Sequence, residues 1–219
     1  MSELVEGTRE KINEMVAELK DDNDFMPFML VNGAKSKVYV ALDMPEWGAP
    51  RDAVADVMMG LLVIHRATEA VFASVAWSLW DLTPEERRAW GNRSFEEHPQ
   101  RREMVFMVHV GVVGEDSFHC AMVTRANGRV TLGEWEDRIE EGTTKAGGRF
   151  ADAMHMGIKM GQDMPVEMCQ YIDEALEAGD DDQVIRPLLN ALRRVRAGDF
   201  TDEELAEAQR IVAEKRANE

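Results

Sequence analysis

The stretch that decides the fold runs from Glu103 to Trp135 and reads EMVFMVHVGVVGEDSFHCAMVTRANGRVTLGEW. Its first part, Glu103–Val113, is rich in valine, methionine and phenylalanine, as buried strands are. Gly114-Glu115-Asp116 ends that part, and Asn127-Gly128 has the sequence that two-residue type I′ hairpin loops prefer. We therefore predict an antiparallel meander of three strands. The Asn127-Gly128 loop predicts the following partners: Ala126 with Arg129, Thr124 with Thr131 and Cys120 with Trp135.

Before the meander, the sequence predicts a helix, a β-hairpin and a second helix. Residues 3–20 place apolar side chains at helical spacing. Two apolar runs, Phe28–Val31 and Val38–Leu42, flank the turn sequence Asn32-Gly33 and predict the hairpin. Pro50 fits the first turn of the second helix, because the N–H that proline lacks has no intrahelical partner there. We predict that this helix continues to about Thr68.

Residues Ala70–Trp77 allow two interpretations. The apolar stripe of the preceding helix continues through them to Leu79, which favours one long helix. Alternatively, the segment is a strand that is buried on both faces, since such strands also have continuous apolar runs. We favour the strand, because a single helix of ~45 Å would overhang a small domain.

After Glu136 the sequence changes character. A glycine-containing segment, 140–148, is followed only by helical patterns, predicted at 149–161, 165–178, 184–197 and 202–217. The predicted fold class is α/β of the α+β type: a mixed sheet of about six strands with an antiparallel C-terminal meander and a covering helix, followed by a helical C-terminal part. The predicted domains are an α/β sheet domain, 1–141, and a helical C-terminal region, 149–219, packed on it or appended to it.

Through three short motifs, the chain resembles a loosely defined group of uncharacterised bacterial and phage α/β proteins. The motifs are Ala76-Trp77, at the end of a predicted strand, the loop His98-Pro99-Gln100-Arg101-Arg102-Glu103, and Leu132-Gly133-Glu134-Trp135. The resemblance covers about residues 28–136 and agrees with a strand at 70–77. It implies no activity, and it does not extend to the helical C-terminal part.

Composition limits the classes of function. The chain has 219 residues, with 25 Lys and Arg against 42 Asp and Glu, which gives a net charge of −17. A surface this acidic repels phosphate backbones, so we expect no generic nucleic-acid binding. The two cysteines form no CxxC pair, and no apolar run reaches the ~20 residues of a membrane span. We therefore expect a cytoplasmic protein whose cysteines are reduced. We expect it to bind no metal or cofactor and not to associate with a membrane.

Four residues of the meander form the candidate catalytic set: His109, His119, Cys120 and Glu103. With a three-residue loop, Val112 pairs with Asp116 and His109 faces His119; with a two-residue loop, His109 faces Cys120. Either pair could hold a metal or activate a nucleophile. The same pattern is also expected of histidines that are half-buried in a sheet and hydrogen-bonded, with no catalytic role. The common nucleotide-binding and hydrolase motifs are absent from the sequence.

Six side chains outside the meander form the candidate partner-binding set: Met156, Met160, Leu188, Leu192, Trp80 and Trp90. Methionine adapts to varied surfaces and tryptophan anchors interfaces, although core packing explains the same spacing. The expected function is a non-enzymatic protein that binds a protein partner or a second copy of itself. The alternatives are a small enzyme with a histidine-containing site on the central strands and an acidic inhibitor that mimics DNA.

Overall fold

The computed structural model describes residues 2–20, 25–44, 49–78, 83–91, 93, 97–112, 116–137, 149–178 and 190. The chain divides into two compact units, Met1–Met164 and Pro165–Glu219. The first unit includes the helix at 149–162, which the sequence pattern groups with the C-terminal helices.

Five helices and seven strands lie in the described part of the chain. In chain order they are α1 (Glu3–Glu18), β1 (Phe28–Asn32), β2 (Lys37–Ala41), α2 (Ala49–Ile64), β3 (Glu69–Ser78), α3 (Pro84–Trp90), β4 (Arg102–Gly111), β5 (Ser117–Ala126), β6 (Arg129–Leu132), β7 (Glu136–Asp137), α4 (Arg149–Gln162) and α5 (Val166–Glu177). None of these helices is both long and apolar enough to cross a membrane. The helices predicted at 184–197 and 202–217 lie, apart from residue 190, outside the described residues.

The strands form one sheet in the order β2-β1-β3-β4-β5-β6, and the short strand β7 pairs with β5. This confirms the predicted α+β class, the hairpin and the meander. Every described strand pair is antiparallel, so the sheet is not mixed in strand direction, which corrects that part of the prediction. The reason is that α2 carries the chain back along the sheet, and β3 therefore starts beside the end of β1, with Glu69 opposite Asn32.

Strand β3 confirms the strand interpretation of residues 70–77. Helix α2 ends at Ile64, and Arg66 turns the chain with a φ of 47°. The amide of Thr68 then donates to the carbonyl oxygen of Asn32, where the pairing of β3 with β1 begins. Residues 70–73 are all buried, because the sheet is covered on both faces at this point.

The β5–β6 hairpin has the predicted register at its loop, where two pairs are confirmed: Ala126 with Arg129 and Thr124 with Thr131. Asn127 and Gly128 have φ of 56° and 74°, as a type I′ loop requires. Farther along, Cys120 pairs with Glu136, so its predicted pairing with Trp135 is wrong. Three residues, 133–135, lie opposite two residues of β5, and this β-bulge shifts the register by one.

Each face of the sheet has its own core. On one face, α1 packs over residues such as Phe28 and Met107. On the other face, α2 and α4 pack over residues such as Met29 and Phe72. Successive strand residues alternate between these two faces, which we call the α1 face and the α2–α4 face.

Helices α2 and α4 approach closely at two glycines of α4. A Cβ atom at Gly157 would lie 2.8 Å from the carbonyl oxygen of Met59 and 2.9 Å from the Cβ of Leu62. A Cβ atom at Gly161 would lie 3.1 Å from the carbonyl oxygen of Leu62. Glycines one turn apart therefore allow α4 to pack directly on the backbone of α2.

Candidate functional site

Polar side chains gather on the α1 face, at the end of the sheet where β3 begins. His109 of β4 pairs with Ser117 of β5, and His119 lies on the same face because it follows Ser117 by two residues. Asp137 of β7 pairs with His119. Together with a glutamate of β3 and an arginine of α1, these residues form what we call the histidine cluster: Arg9, Glu69, His109, Ser117, His119 and Asp137.

A chain of close polar contacts passes through His119. Its Nε2 lies 2.7 Å from Ser117 Oγ, and its Nδ1 lies 2.7 Å from Asp137 Oδ1. The His119 residue is only 2% exposed, so its ring is held by protein groups. Ser117 is half-buried and the Asp137 side chain is 49% exposed, so both ends of the chain of contacts reach towards solvent.

Arg9 of α1 contacts the same ring nitrogen. Its Nη2 lies 2.7 Å from His119 Nδ1 and also donates to Asp137 Oδ1. Its Nη1 lies 3.9 Å from a carboxylate oxygen of Glu6, and its guanidinium carbon lies 5.6 Å from the centre of the Trp135 ring. The arginine side chain is 14% exposed, so these few groups supply most of its surroundings.

Glu69 forms a second branch of the histidine cluster. Its carboxylate accepts hydrogen bonds from Ser2 Oγ at 2.6 Å and Asn32 Nδ2 at 3.0 Å, and it lies 3.1 Å from His109 Nε2. Burial raises the pKa of Glu69, but the hydrogen bonds from Ser2, Asn32 and His109 outweigh burial and leave the pKa below its ordinary value. The carboxylate is therefore ionised at neutral pH and gives His109 a fixed partner.

Burial keeps His119 neutral, and the contacts with His119 and Arg9 keep Asp137 ionised. Burial lowers the pKa of His119, and this effect, with the charge of Arg9, outweighs the opposing effect of Asp137. Burial raises the pKa of Asp137, but the His119 hydrogen bond and the charge of Arg9 bring that pKa below its ordinary value. At pH 7 the two groups are therefore an imidazole and a carboxylate.

Two of the four predicted catalytic residues, His109 and His119, belong to the cluster. Both predicted registers are wrong, because β4 ends at Gly111, β5 begins at Ser117, and the connection is longer than three residues. Cys120 is on the α2–α4 face and fully buried. The fourth residue, Glu103, lies at the other end of β4, where its carboxylate accepts from Arg125 Nε at 2.8 Å and Arg125 Nη2 at 2.6 Å.

Three of the predicted partner-binding residues lie in the described part of the chain. On α4, Met156 is 39% exposed and Met160 is half-buried. Trp90, at the end of α3, is half-buried, and its ring lies 3.9 Å from the Arg93 guanidinium and 4.4 Å from the His98 ring. The remaining three lie outside the described residues: Leu188, Leu192 and Trp80.

The sequence pattern does not single out Arg9, Ser117 or Asp137. Ser117 carries a usable signal, because a Ser-x-His sequence on a strand places both side chains on one face. Asp137 carries none, since its position opposite His119 depends on the bulge at 133–135. Arg9 is one of several charged residues of a surface helix, and only the folded chain shows that it points inwards.

The arrangement has the parts that nucleophilic catalysis needs. Ser117 supplies a hydroxyl group, His119 lies within hydrogen-bond reach of it, and Asp137 can orient the ring. The described residues contain no group of three or more His, Cys, Asp or Glu side chains that could hold a metal ion.

Comparisons with protein families, with curated proteins and with solved structures found no match to this chain. No relative therefore assigns an activity to the histidine cluster. Its chemistry is inferred from its own atoms and from their surroundings.

Proposed function

We propose that this protein is a hydrolase of esters or thioesters, with Ser117 as the nucleophile and His119 as the general base. The observation that carries the proposal is the pair of 2.7 Å contacts that link Ser117 Oγ, His119 and Asp137 Oδ1. Such a constellation is recognised by geometry and by the roles of its members rather than by their order in the chain.

The reaction follows from the positions of these three groups. Ser117 Oγ attacks the acyl carbon and His119 Nε2 takes the hydroxyl proton, while Asp137 stabilises the positive ring. His119 then returns the proton to the leaving alcohol or thiol as the bond to the acyl carbon breaks. A water molecule attacks the acyl-serine, again with His119 as base, and the acid product leaves Ser117 free.

Charge favours a substrate without a strong negative charge. The chain has a net charge of −17, so the surface as a whole repels anions. The one arginine of the histidine cluster, Arg9, already lies close to two carboxylates, those of Glu6 and Asp137. Neutral esters and thioesters are therefore the substrate class that the proposal names.

The test is covalent labelling of the protein with a fluorophosphonate probe, followed by peptide mass spectrometry. The label should sit on Ser117, where the hydroxyl oxygen displaces fluoride from phosphorus. Ser117→Ala should abolish the label and lower the hydrolysis of p-nitrophenyl acetate by at least about 10²-fold, because the nucleophile and its base act as one unit that fails when the nucleophile is removed. Equal labelling of Ser117→Ala, or no label on Ser117, would contradict the proposal.

The matched control for this experiment is Ser74→Ala. Ser74 is a half-buried serine of β3 whose Oγ donates to the carbonyl oxygen of Val75 at 3.2 Å, and it lies on the α2–α4 face, away from the histidine cluster. Its replacement removes the same atom from the same sheet. Labelling and hydrolysis should therefore stay at the wild-type level.

A second candidate function, binding of a protein partner or of a second copy, is favoured by exposed apolar side chains on two helices. Met168 and Tyr171 of α5 are 50% and 51% exposed, and Met156 of α4 is 39% exposed. Large, adaptable side chains of this kind are common at binding surfaces. Light scattering coupled to size exclusion tests this second function, with Met168→Gln/Tyr171→Gln as the variant. A wild-type chain that is a monomer, and that captures the same proteins in pull-downs as the variant, would contradict it.

We also propose that the protein works in a reducing compartment such as the cytoplasm. Neither Cys120 nor Cys169 forms a disulfide, and Cys120 is fully buried. Reduced thiols are the rule in that compartment. Fractionation of cells that express a tagged chain tests the location.

A further inference from the structure

Two groups of opposite hydrogen-bonding character compete for one nitrogen of His119. Arg9 Nη2 and Asp137 Oδ1 each lie 2.7 Å from Nδ1. A guanidinium only donates hydrogen bonds, and an ionised carboxylate only accepts them. The position of the ring proton therefore decides which of the two contacts is a hydrogen bond.

The two neutral tautomers of His119 leave different groups unsatisfied. With the proton on Nδ1, the ring donates to Asp137 and Nε2 accepts from Ser117, but Arg9 then faces an N–H group. With the proton on Nε2, Arg9 donates to Nδ1, the ring donates to Ser117 Oγ, and Asp137 still accepts from Arg9. Only the second tautomer gives that donor of Arg9 an acceptor on the ring.

The difference in burial between Arg9 and Asp137 favours the second tautomer. The Arg9 side chain is 14% exposed, and its Nε already lacks an acceptor among the residues that the structure describes. The Asp137 side chain is 49% exposed, so water can replace the hydrogen bond from His119. A buried donor without an acceptor is costly, whereas an exposed carboxylate is readily solvated.

We infer that Arg9 of α1 is a latch that holds His119 with its proton on Nε2, the form that cannot accept the proton of Ser117. This inference rests on the proposed function, because the general base needs a lone pair on Nε2. With the latch closed, the rate falls in proportion to the population of the competent tautomer. Removal of the Arg9 guanidinium leaves Asp137 as the remaining partner of Nδ1 and activates the site.

The decisive measurement is a long-range ¹H–¹⁵N spectrum of the full chain with ¹⁵N-labelled histidine, recorded at pH 8. It shows which ring nitrogen carries the proton, because the nitrogen with the lone pair resonates far downfield of the N–H nitrogen. His119→Gln identifies the signals of His119. We expect the proton on Nε2 in the wild-type chain and on Nδ1 in Arg9→Gln.

The activity of Arg9→Gln provides the second readout. If the latch holds nine-tenths of His119 in the wrong tautomer, its removal raises kcat/KM for p-nitrophenyl acetate by about tenfold, since the rate follows the competent fraction. The matched control is Lys11→Gln, which removes one positive charge from the same helix at a side chain that is 54% exposed. The control should change neither the tautomer nor the rate.

The outcomes separate the latch from the proposed function. A wild-type His119 with its proton on Nδ1 overturns the latch and leaves the proposed hydrolase intact. A proton that moves to Nδ1 in Arg9→Gln, with no turnover and no label on Ser117, supports the latch and refutes the hydrolase. If Arg9→Gln does not fold, the wild-type spectrum alone still decides whether Arg9 or Asp137 holds Nδ1.

Discussion

Replacement of Gly157 by alanine tests whether the backbone contact between α4 and α2 is as close as described. The new Cβ would lie 2.8 Å from the Met59 carbonyl oxygen, 2.9 Å from the Leu62 Cβ and 3.0 Å from the Met59 Cα. Two of these three atoms belong to the backbone of α2, so a side-chain rotation cannot relieve the clash. The helices must separate, and overpacking of this kind costs about 1–3 kcal/mol.

Helix propensity acts in the opposite direction and has to be subtracted. Alanine in a helix interior is favoured over glycine by about 1 kcal/mol. A steric cost of about 2 kcal/mol then leaves a net loss of about 1 kcal/mol for Gly157→Ala. The matched control is Gly7→Ala in α1, where a Cβ meets nothing within 4 Å. That variant should gain about 1 kcal/mol, so the two variants differ by the steric cost itself.

The assay is urea unfolding followed by tryptophan fluorescence. All five tryptophans precede Met164, so the signal reports the unit that contains α2 and α4. The unfolding midpoint should fall for Gly157→Ala and rise for Gly7→Ala, with unchanged slopes. A Gly157→Ala chain as stable as Gly7→Ala would refute the reasoning, because it would show that the helices have room for a methyl group.

Three further predictions concern the sheet. Burial lowers the pKa of His119 in the folded chain, so the neutral ring contributes fully to stability above the unfolded pKa of about 6.5, and this contribution is lost as the pH falls below that value. Between pH 8 and pH 5, the urea midpoint should therefore fall less in His119→Gln than in the wild type. Gly128→Ala should lose about 1 kcal/mol in the same assay, since its φ of 74° is strained for alanine although a Cβ there meets nothing within 4 Å. A double-mutant cycle with Glu103→Gln and Arg125→Met should give a coupling of about 1 kcal/mol, because both side chains are mostly buried and bonded twice; no coupling would contradict that geometry.

Local sequence signals were sufficient to predict most strands of the sheet and their order along the chain. Asn127-Gly128 fixes a tight loop, and the pairs on either side of it follow directly. The apolar run at 70–77 is a strand because Arg66 turns the chain before the apolar stripe can continue as helix. Signals of this kind act within a few residues, which is why the sequence contains them.

The register between β4 and β5 could not be predicted in the same way. Val112 and Val113 look like a continuation of β4, but the amide of Val112 donates to the carbonyl oxygen of Thr68 at 2.8 Å, and the Val112 residue is 51% exposed. Pairing with β3 therefore extends past the point where pairing with β5 begins. Because the loop is longer than its apolar sequence indicates, His109 faces Ser117 rather than His119 or Cys120.

The histidine cluster depends on contacts that are distant in the sequence. Arg9 and His119 are 110 residues apart, and Glu69 receives hydrogen bonds from Ser2 and Asn32. No motif spans such separations, since each residue is ordinary in its own segment. The two histidines could be selected from the sequence, and Ser117 precedes His119 by two residues, but the other partners could not be predicted, because they come from α1 and its N-cap, β1, β3 and β7.

The single extra residue at 133–135 determines which acid faces the histidine. If the register of the β5–β6 hairpin continued without the bulge, His119 would lie opposite Glu136 instead of Asp137. Loss of one amino acid from this segment would remove the bulge and move Asp137 one position closer to the hairpin loop, so Asp137 would still lie opposite His119. A regular hairpin that is one residue shorter would therefore keep the same acid beside His119, whereas the present segment needs the bulge to place Asp137 there.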